Sequence, residues 1–109
     1  MRKRAVDVRG IRFELPSALA ARVRAAASGS TLNEWARNAL AAGFSVPPDE
    51  LRADLPAARR GSISLFLELP PAFIERMDAR AVHVNMRRTE YARACFARAV
   101  NRVTNPAVP

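Results

Sequence analysis

The sequence predicts a mainly helical fold with a two-stranded antiparallel β-ribbon, made of two copies of one strand-helix-turn-helix unit in a single chain. Three observations lead there. First, Gly10-Ile11-Arg12-Phe13-Glu14-Leu15-Pro16 and Ser62-Ile63-Ser64-Leu65-Phe66-Leu67-Glu68-Leu69-Pro70 both alternate apolar and outward residues and end in Glu-Leu-Pro. Second, the likeness continues at one constant offset, Pro16 with Pro70, Leu19 with Phe73 and Val23 with Met77. Third, Glu34-Trp35-Ala36-Arg37 matches Glu90-Tyr91-Ala92-Arg93 at an offset two residues larger, so the second copy has two extra residues between its helices. A period of about fifty residues marks a duplicated unit that cannot bury its apolar face alone.

Residues 1–8, with Arg2, Lys3 and Arg4, form a basic arm without a helical stripe. It reads either as a solvated tail or as an arm that touches DNA phosphates or the minor groove. From Arg9 to Leu15 the period is two, with Ile11, Phe13 and Leu15 on one face and Gly10, Arg12 and Glu14 on the other, the pattern of a half-buried strand. Pro16 ends it and suits a helix start, with Ser17 as an alternative cap. Leu19, Val23 and Ala26 or Ala27 recur at steps of three and four, which predicts an amphipathic helix over Ser17 to Ala27, with Gly29 as its left-handed closing residue. Thr31-Leu32-Asn33-Glu34 has capping-box spacing and opens a second helix to Ala42, burying Leu32, Trp35, Ala36, Ala39 and Leu40 and ending at Gly43.

A proline-marked linker, 44–61, follows, in which Pro48-Asp49-Glu50-Leu51-Arg52 suits one helical turn. The second strand turns Ile63, Leu65, Leu67 and Leu69 inward. A third helix, about 72–81, buries Phe73, Ile74 and Met77, and His83 falls in the inserted turn as an exposed residue. The fourth, about 87–103, buries Tyr91, Ala92, Cys95, Phe96, Ala99 and Val100, and 104–109 is a frayed tail. The whole, 1–109, reads as one domain, with repeats at 9–43 and 62–103.

Eighteen Lys+Arg against ten Asp+Glu give a net charge of +8, and Arg outnumbers Lys by seventeen to one. That balance points toward a polyanion, since Arg presents a forked donor set to phosphates and guanine edges. A lone cysteine, Cys95, excludes an internal disulfide; it occupies the place of Ala39 on a buried face and reads as a small core residue. No apolar run is as long as a bilayer span and no apolar segment follows the basic start, so the expected location is the cytoplasm, at the nucleoid.

A short alternating strand, Leu-Pro, an amphipathic helix, a Gly or Asn turn and a capped helix of the form Met86-Arg87-Arg88-Thr89-Glu90-Tyr91-Ala92-Arg93 resemble the ribbon-helix-helix DNA-binding superfamily of Arc and MetJ. The resemblance covers almost the whole chain, twice, and the tandem form is similar to the TraY conjugation protein and to a virulence protein that acts beside transferred-DNA borders. It implies an intramolecular pseudo-dimer, in which two strands that are unstable alone pair and are covered by four helices. The linker, with a span of roughly 5 to 6 Å times the square root of its length, would hold them at an effective concentration on the order of millimolar.

The resemblance also implies where DNA would lie. Base contacts would come from the outer ribbon face: Gly10, Arg12 and Glu14 in the first strand, Ser62, Ser64 and Phe66 in the second. Arg12 would fork onto a guanine, the serines take either base type, and Phe66 meet a thymine methyl. Glu14 and Glu68 depart from the family's usual basic or amide ribbon, and the competing reading offers Phe66 to a protein partner instead. Phosphates would sit at the start of each second helix, on Ser30, Thr31 and Leu32 and on Met86, Arg87 and Arg88, with Arg2, Lys3 and Arg4 of the arm nearby. Without the resemblance, Thr31 is a helix cap and Arg87 and Arg88 a solvated first turn.

No Gly-rich phosphate loop, paired carboxylate site or nucleophile-base pair is present in the sequence, so no enzyme, cofactor, metal, small-molecule substrate or membrane partner is expected. The expected partner is double-stranded DNA, with a second copy on adjacent DNA or a relaxosome or transfer protein beside it. The expected roles are transcription repressor or plasmid mobilisation factor. The alternative is a protein-interaction adaptor, antitoxin-like or an assembly module, using Phe66 and the linker as its contact surface.

Overall fold

The computed structural model describes residues 7–56 and 63–104. Of the residues expected to meet DNA, Arg2, Lys3, Arg4 and Ser62 lie outside the described residues, as do Arg59-Arg60-Gly61 of the linker and residues 105–109 of the tail. The described chain is mainly helical around one two-stranded antiparallel ribbon.

The strands β1 (Arg9–Leu15) and β2 (Ile63–Leu69) pair in the register Gly10 opposite Glu68, Ile11 opposite Leu67, Arg12 opposite Phe66, Phe13 opposite Leu65 and Glu14 opposite Ser64. Alternation turns Ile11, Phe13, Leu15, Leu65, Leu67 and Leu69 into the core, where all six are buried. Each such side chain contributes about 1.5 to 3 kcal/mol relative to exposure, and a one-residue slip would turn the whole set outward. Burial therefore fixes the register.

Helices α1 (Ser17–Ala26) and α2 (Leu32–Ala42) complete the first copy. Helices α4 (Pro71–His83) and α5 (Arg88–Thr104) complete the second. Between the copies stand a single 3₁₀ turn (Gly43–Ser45) and a short helix, α3 (Pro48–Ala53). Helix α5 is the centre of the body and packs against α1, α2, α3, α4 and β1. Its Phe96 meets the edge of Phe13 at 6.1 Å and lies 5.9 Å from Trp35, which joins the ribbon to both second helices. Leu32, Trp35, Ile63, Phe73 and Ala99, expected inside, are half-buried at the margin of this core.

Three expectations are corrected. Gly29 is not left-handed: no described glycine has a positive φ, and α1 closes through Ala27, with Ser28 N–H donating to Ala25 O at 3.2 Å and Ser30 N–H to Ala27 O at 2.9 Å. The left-handed residue is Asn85, with φ of 63°, after α4. There Met86 N–H donates to Ala81 O at 2.8 Å and Asn85 N–H to Val82 O at 3.0 Å, a Schellman closure, and Met86 and Ala81 are both buried. The two extra residues of the second copy do not lengthen the turn either. Helix α4 takes them and one residue more, reaching 13 residues against 10 in α1, while the turn after it, 84–87, is one residue shorter than 27–31; His83 is in the last helical turn, exposed.

The linker is the third correction. Over residues 44–56 it is not a loose coil, because Val46 and Leu51 are buried in the core. Phe44 lies 5.6 Å from Phe73, with the Arg76 guanidinium 4.7 Å over its ring. Arginines pin the backbone around it. Arg80 donates to Gly43 O and Val46 O, Arg52 to Val84 O at 2.9 Å, and Arg98 forks onto Asp54 at 2.8 Å and Glu50 at 3.2 Å.

The outer edges of the ribbon are also held. The Asn33 side chain accepts from Glu68 N–H at 2.6 Å and donates to Glu68 O at 2.9 Å, while Arg93 Nε donates to Glu14 O at 3.0 Å. Each second helix thus reaches the strand of the other copy.

Candidate nucleic-acid interface

The face of the ribbon turned away from the helices carries Gly10, Arg12 and Glu14 from β1 and Ser64, Phe66 and Glu68 from β2, as the period-two alternation requires. Sequence reasoning named these positions. Their pairing, however, follows only from the antiparallel register. Arg12 and Phe66 are partners at the middle, and the Arg12 guanidinium carbon stands 5.9 Å from the Phe66 ring centroid. Arg12 Nε is 3.6 Å from Glu14 Oε2, and Ser64 Oγ donates to the same oxygen at 3.4 Å. Phe66 is 67% exposed, the large apolar side chain the ribbon leaves to water.

The starts of α2 and α5 divide the capping box between them. Thr31 Oγ1 accepts from Glu34 N–H at 3.0 Å, the forward half. At the second start Arg87 has no hydroxyl, and the return half is made instead, with Glu90 Oε1 accepting from Arg87 N–H at 2.9 Å. These bonds bear on the expected phosphate positions. The amides of Ser30, Met86 and Arg87 already donate within the chain, to Ala27 O, Ala81 O and Glu90. Of the expected set, Thr31, Leu32 and the Arg88 amide remain, with the Arg87 side chain, 86% exposed beside Glu90 at 3.9 Å. Arg88 points elsewhere: its guanidinium forks onto Asp78 of α4 at 2.7 and 2.8 Å, a hydrogen-bonded pair that raises its pKa. Asp78 and Arg88 are separated by a turn between helices, so no local spacing announces the pair.

The same holds for much of the positive charge. Arg80, Arg93 and Arg98 hold linker and ribbon backbone or linker carboxylates, Arg52 holds the Val84 carbonyl after α4, and only the assembled fold reveals these partners. Two further chemistry-bearing groups, Cys95 and Tyr91, are internal. Burial pushes the Cys95 thiol up to about 12 and also raises the Tyr91 phenol, whose hydroxyl donates to Leu40 O at 2.8 Å. Cys95 therefore stays a neutral thiol near neutral pH, without the thiolate a nucleophile needs. Among the described residues no group of three or more His, Cys, Asp or Glu is placed to hold a metal ion, and no helix is long and apolar enough to cross a membrane.

Comparison of the chain with models of known protein families, with curated proteins and with solved structures found no match.

Proposed function

We propose that this chain binds double-stranded DNA through the outer face of the β1–β2 ribbon, as a single-chain protein of ribbon-helix-helix type. Its roles would be those of a transcription repressor or an accessory factor in plasmid mobilisation. One observation carries the reading. The offset that takes Pro16 to Pro70 takes Arg12 to Phe66, and those two residues pair at the centre of the ribbon. It also takes Gly10 to Ser64 and Glu14 to Glu68, and the pairs Gly10–Glu68 and Glu14–Ser64 exchange under it. That is the relation a twofold axis through the Arg12–Phe66 pair imposes, which supports an intramolecular pseudo-dimer.

A two-stranded ribbon fits the major groove of B-DNA, about 12 Å wide, and presents alternate side chains to base edges. A net charge of +8 favours association with a polyanion through release of condensed counterions. Arg87, exposed at the start of α5, suits a phosphate contact.

The test is fluorescence anisotropy of the full chain with duplex DNA over a range of salt. The expected result is a log–log fall of affinity with salt, with Arg87→Ala weakening all sequences alike and lowering the slope by about one. Absence of binding at low salt overturns the reading.

Phe66 favours a second reading, a protein-interaction adaptor, because an exposed ring at the centre of a polar face is also a docking anchor. The linker contributes less to such a surface than its sequence implied, since Val46 and Leu51 face inward. Under this reading Phe66→Ala removes a protein partner and leaves affinity for DNA unchanged.

A further inference from the structure

We propose that the ribbon reads a non-palindromic duplex in one orientation, with Arg12 as its single cationic base reader and with Phe66 and Glu14 aiming that reader. This rests on the DNA-binding reading above and adds to it the polarity of the target.

A ribbon with true twofold symmetry presents each outward residue twice, so the sequence it prefers repeats on both strands. Here the symmetry fails at its own axis, where Arg12 faces Phe66. Among the described outer-face residues Arg12 is the one cation, since its companions are Gly10, Glu14, Ser64, Phe66 and Glu68. The Arg12 guanidinium is not a loose charge. The Phe66 ring lies 5.9 Å from it, its Nε is 3.6 Å from Glu14 Oε2, and Ser64 Oγ steadies that oxygen from the other strand at 3.4 Å.

With Nε turned to Glu14, the terminal nitrogens are left to fork onto O6 and N7 of a guanine. Glu14 is an acceptor only, so it takes an amino-bearing base, cytosine through N4 or adenine through N6, and disfavours the acceptor edges of guanine. Two residues of strand advance about 6.8 Å, near two base steps at about 3.4 Å each, so the amino-bearing base lies within two steps of the guanine. On the other half Phe66 offers only apolar contact, which suits a thymine methyl. Turning the protein end for end would set Phe66 against guanine acceptors and leave them unpaired. The two orientations are therefore unequal.

The experiment selects bound duplexes from a randomised pool with the full-length chain and with its Arg12→Ala, Glu14→Gln and Phe66→Arg variants, followed by anisotropy on the selected duplexes. All three side chains are on the open face of the ribbon, and thermal melts verify that each variant folds. The wild-type motif is expected to be non-palindromic with one dominant guanine. Arg12→Ala should lower the preference for that guanine by about 5- to 140-fold, the equivalent of about 1 to 3 kcal/mol at 1.4 kcal/mol per decade. Glu14→Gln should keep the guanine and relax the neighbouring base, a change in specificity that loss of packing alone would not produce. Phe66→Arg should make the central pair of the ribbon symmetric and yield a motif with a guanine on each strand. A palindromic wild-type motif, or an unchanged guanine after Arg12→Ala, overturns the single-orientation proposal and leaves DNA binding standing. Absence of enrichment together with absence of an anisotropy change at low salt overturns the DNA-binding reading itself, and this one with it.

Discussion

In the first copy Trp35 is half-buried and α2 keeps an open side, whereas in the second the equivalent Tyr91 is fully buried and α5 encloses Tyr91, Ala92, Ala94, Cys95, Phe96 and Ala97 almost without interruption. The unequal cover comes from the linker, whose α3 lies against α5 and is tied there by Arg98. Two segments of matching sequence pattern in one chain need not be covered equally. The connecting segment covers α5 and leaves α2 with one side open.

The largest effect that would sharpen this contrast is at equivalent core positions. Phe96→Ala removes a ring that touches both Phe13 and Trp35 and should lower stability in urea melts by about 3 to 5 kcal/mol. Its counterpart Leu40→Ala removes a smaller, aliphatic side chain and should cost less, toward the lower end of about 2 to 5 kcal/mol. Equal losses would mean that the two second helices are equally central.

Next comes the tight packing of Gly43, just after α2, against α5. A Cβ on Gly43 would fall on Cys95 Sγ and come within 2.6 Å of Tyr91 Oη, so Gly43→Ala should cost about 1 to 3 kcal/mol through overpacking. Pairing it with Cys95→Ala should recover part of that loss in the same melts.

Among the described residues the buried titratable groups, Tyr91 and Cys95, both lie on α5. The Cys95 thiol ionises in the ordinary range when the chain is unfolded and only toward about 12 when folded. Its contribution is therefore complete below about pH 9, and stability falls as pH rises from there toward about 12, because the unfolded chain loses the proton first. By about pH 10 the loss should be on the order of 1 kcal/mol, and smaller in Cys95→Ala, which takes the residue found at the matching position, Ala39. An identical decline in the variant would assign the effect to other groups.

The smallest effects separate the two interhelical turns. Asn85→Ala should cost about 1 kcal/mol, because a Cβ without a local hydrogen-bonding group is strained at φ of 63°. Gly29→Ala should instead be neutral or gain about 0.4 to 1 kcal/mol, since its φ is not positive and a Cβ there meets open space. The reverse ranking would return the left-handed role to Gly29.

Local patterns made the strands, the main helices and the outer-face residues legible. Period-two alternation ended by Leu-Pro located β1 and β2, and the spacing of Leu19 and Val23 located α1. Gly29 misled because glycine permits a left-handed turn without requiring one, whereas Asn85 adopts it to complete the Schellman bonds. The linker's packing and the roles of Arg80, Arg88 and Arg98 depend on partners from other elements, which no spacing along the chain encodes. The Arg12–Phe66 pair has the same origin, since its two members meet only when the strands run antiparallel.

A β-ribbon of two strands has two raw flanks, each a template on which another extended chain could add itself and grow a longer sheet. Asn33 occupies both backbone groups of Glu68 on one flank, and Arg93 occupies the Glu14 carbonyl on the other. A third strand arriving at these points would have to displace a side chain already bonded there. The helices that cover the ribbon's inner side thus also grip each of its borders at one residue.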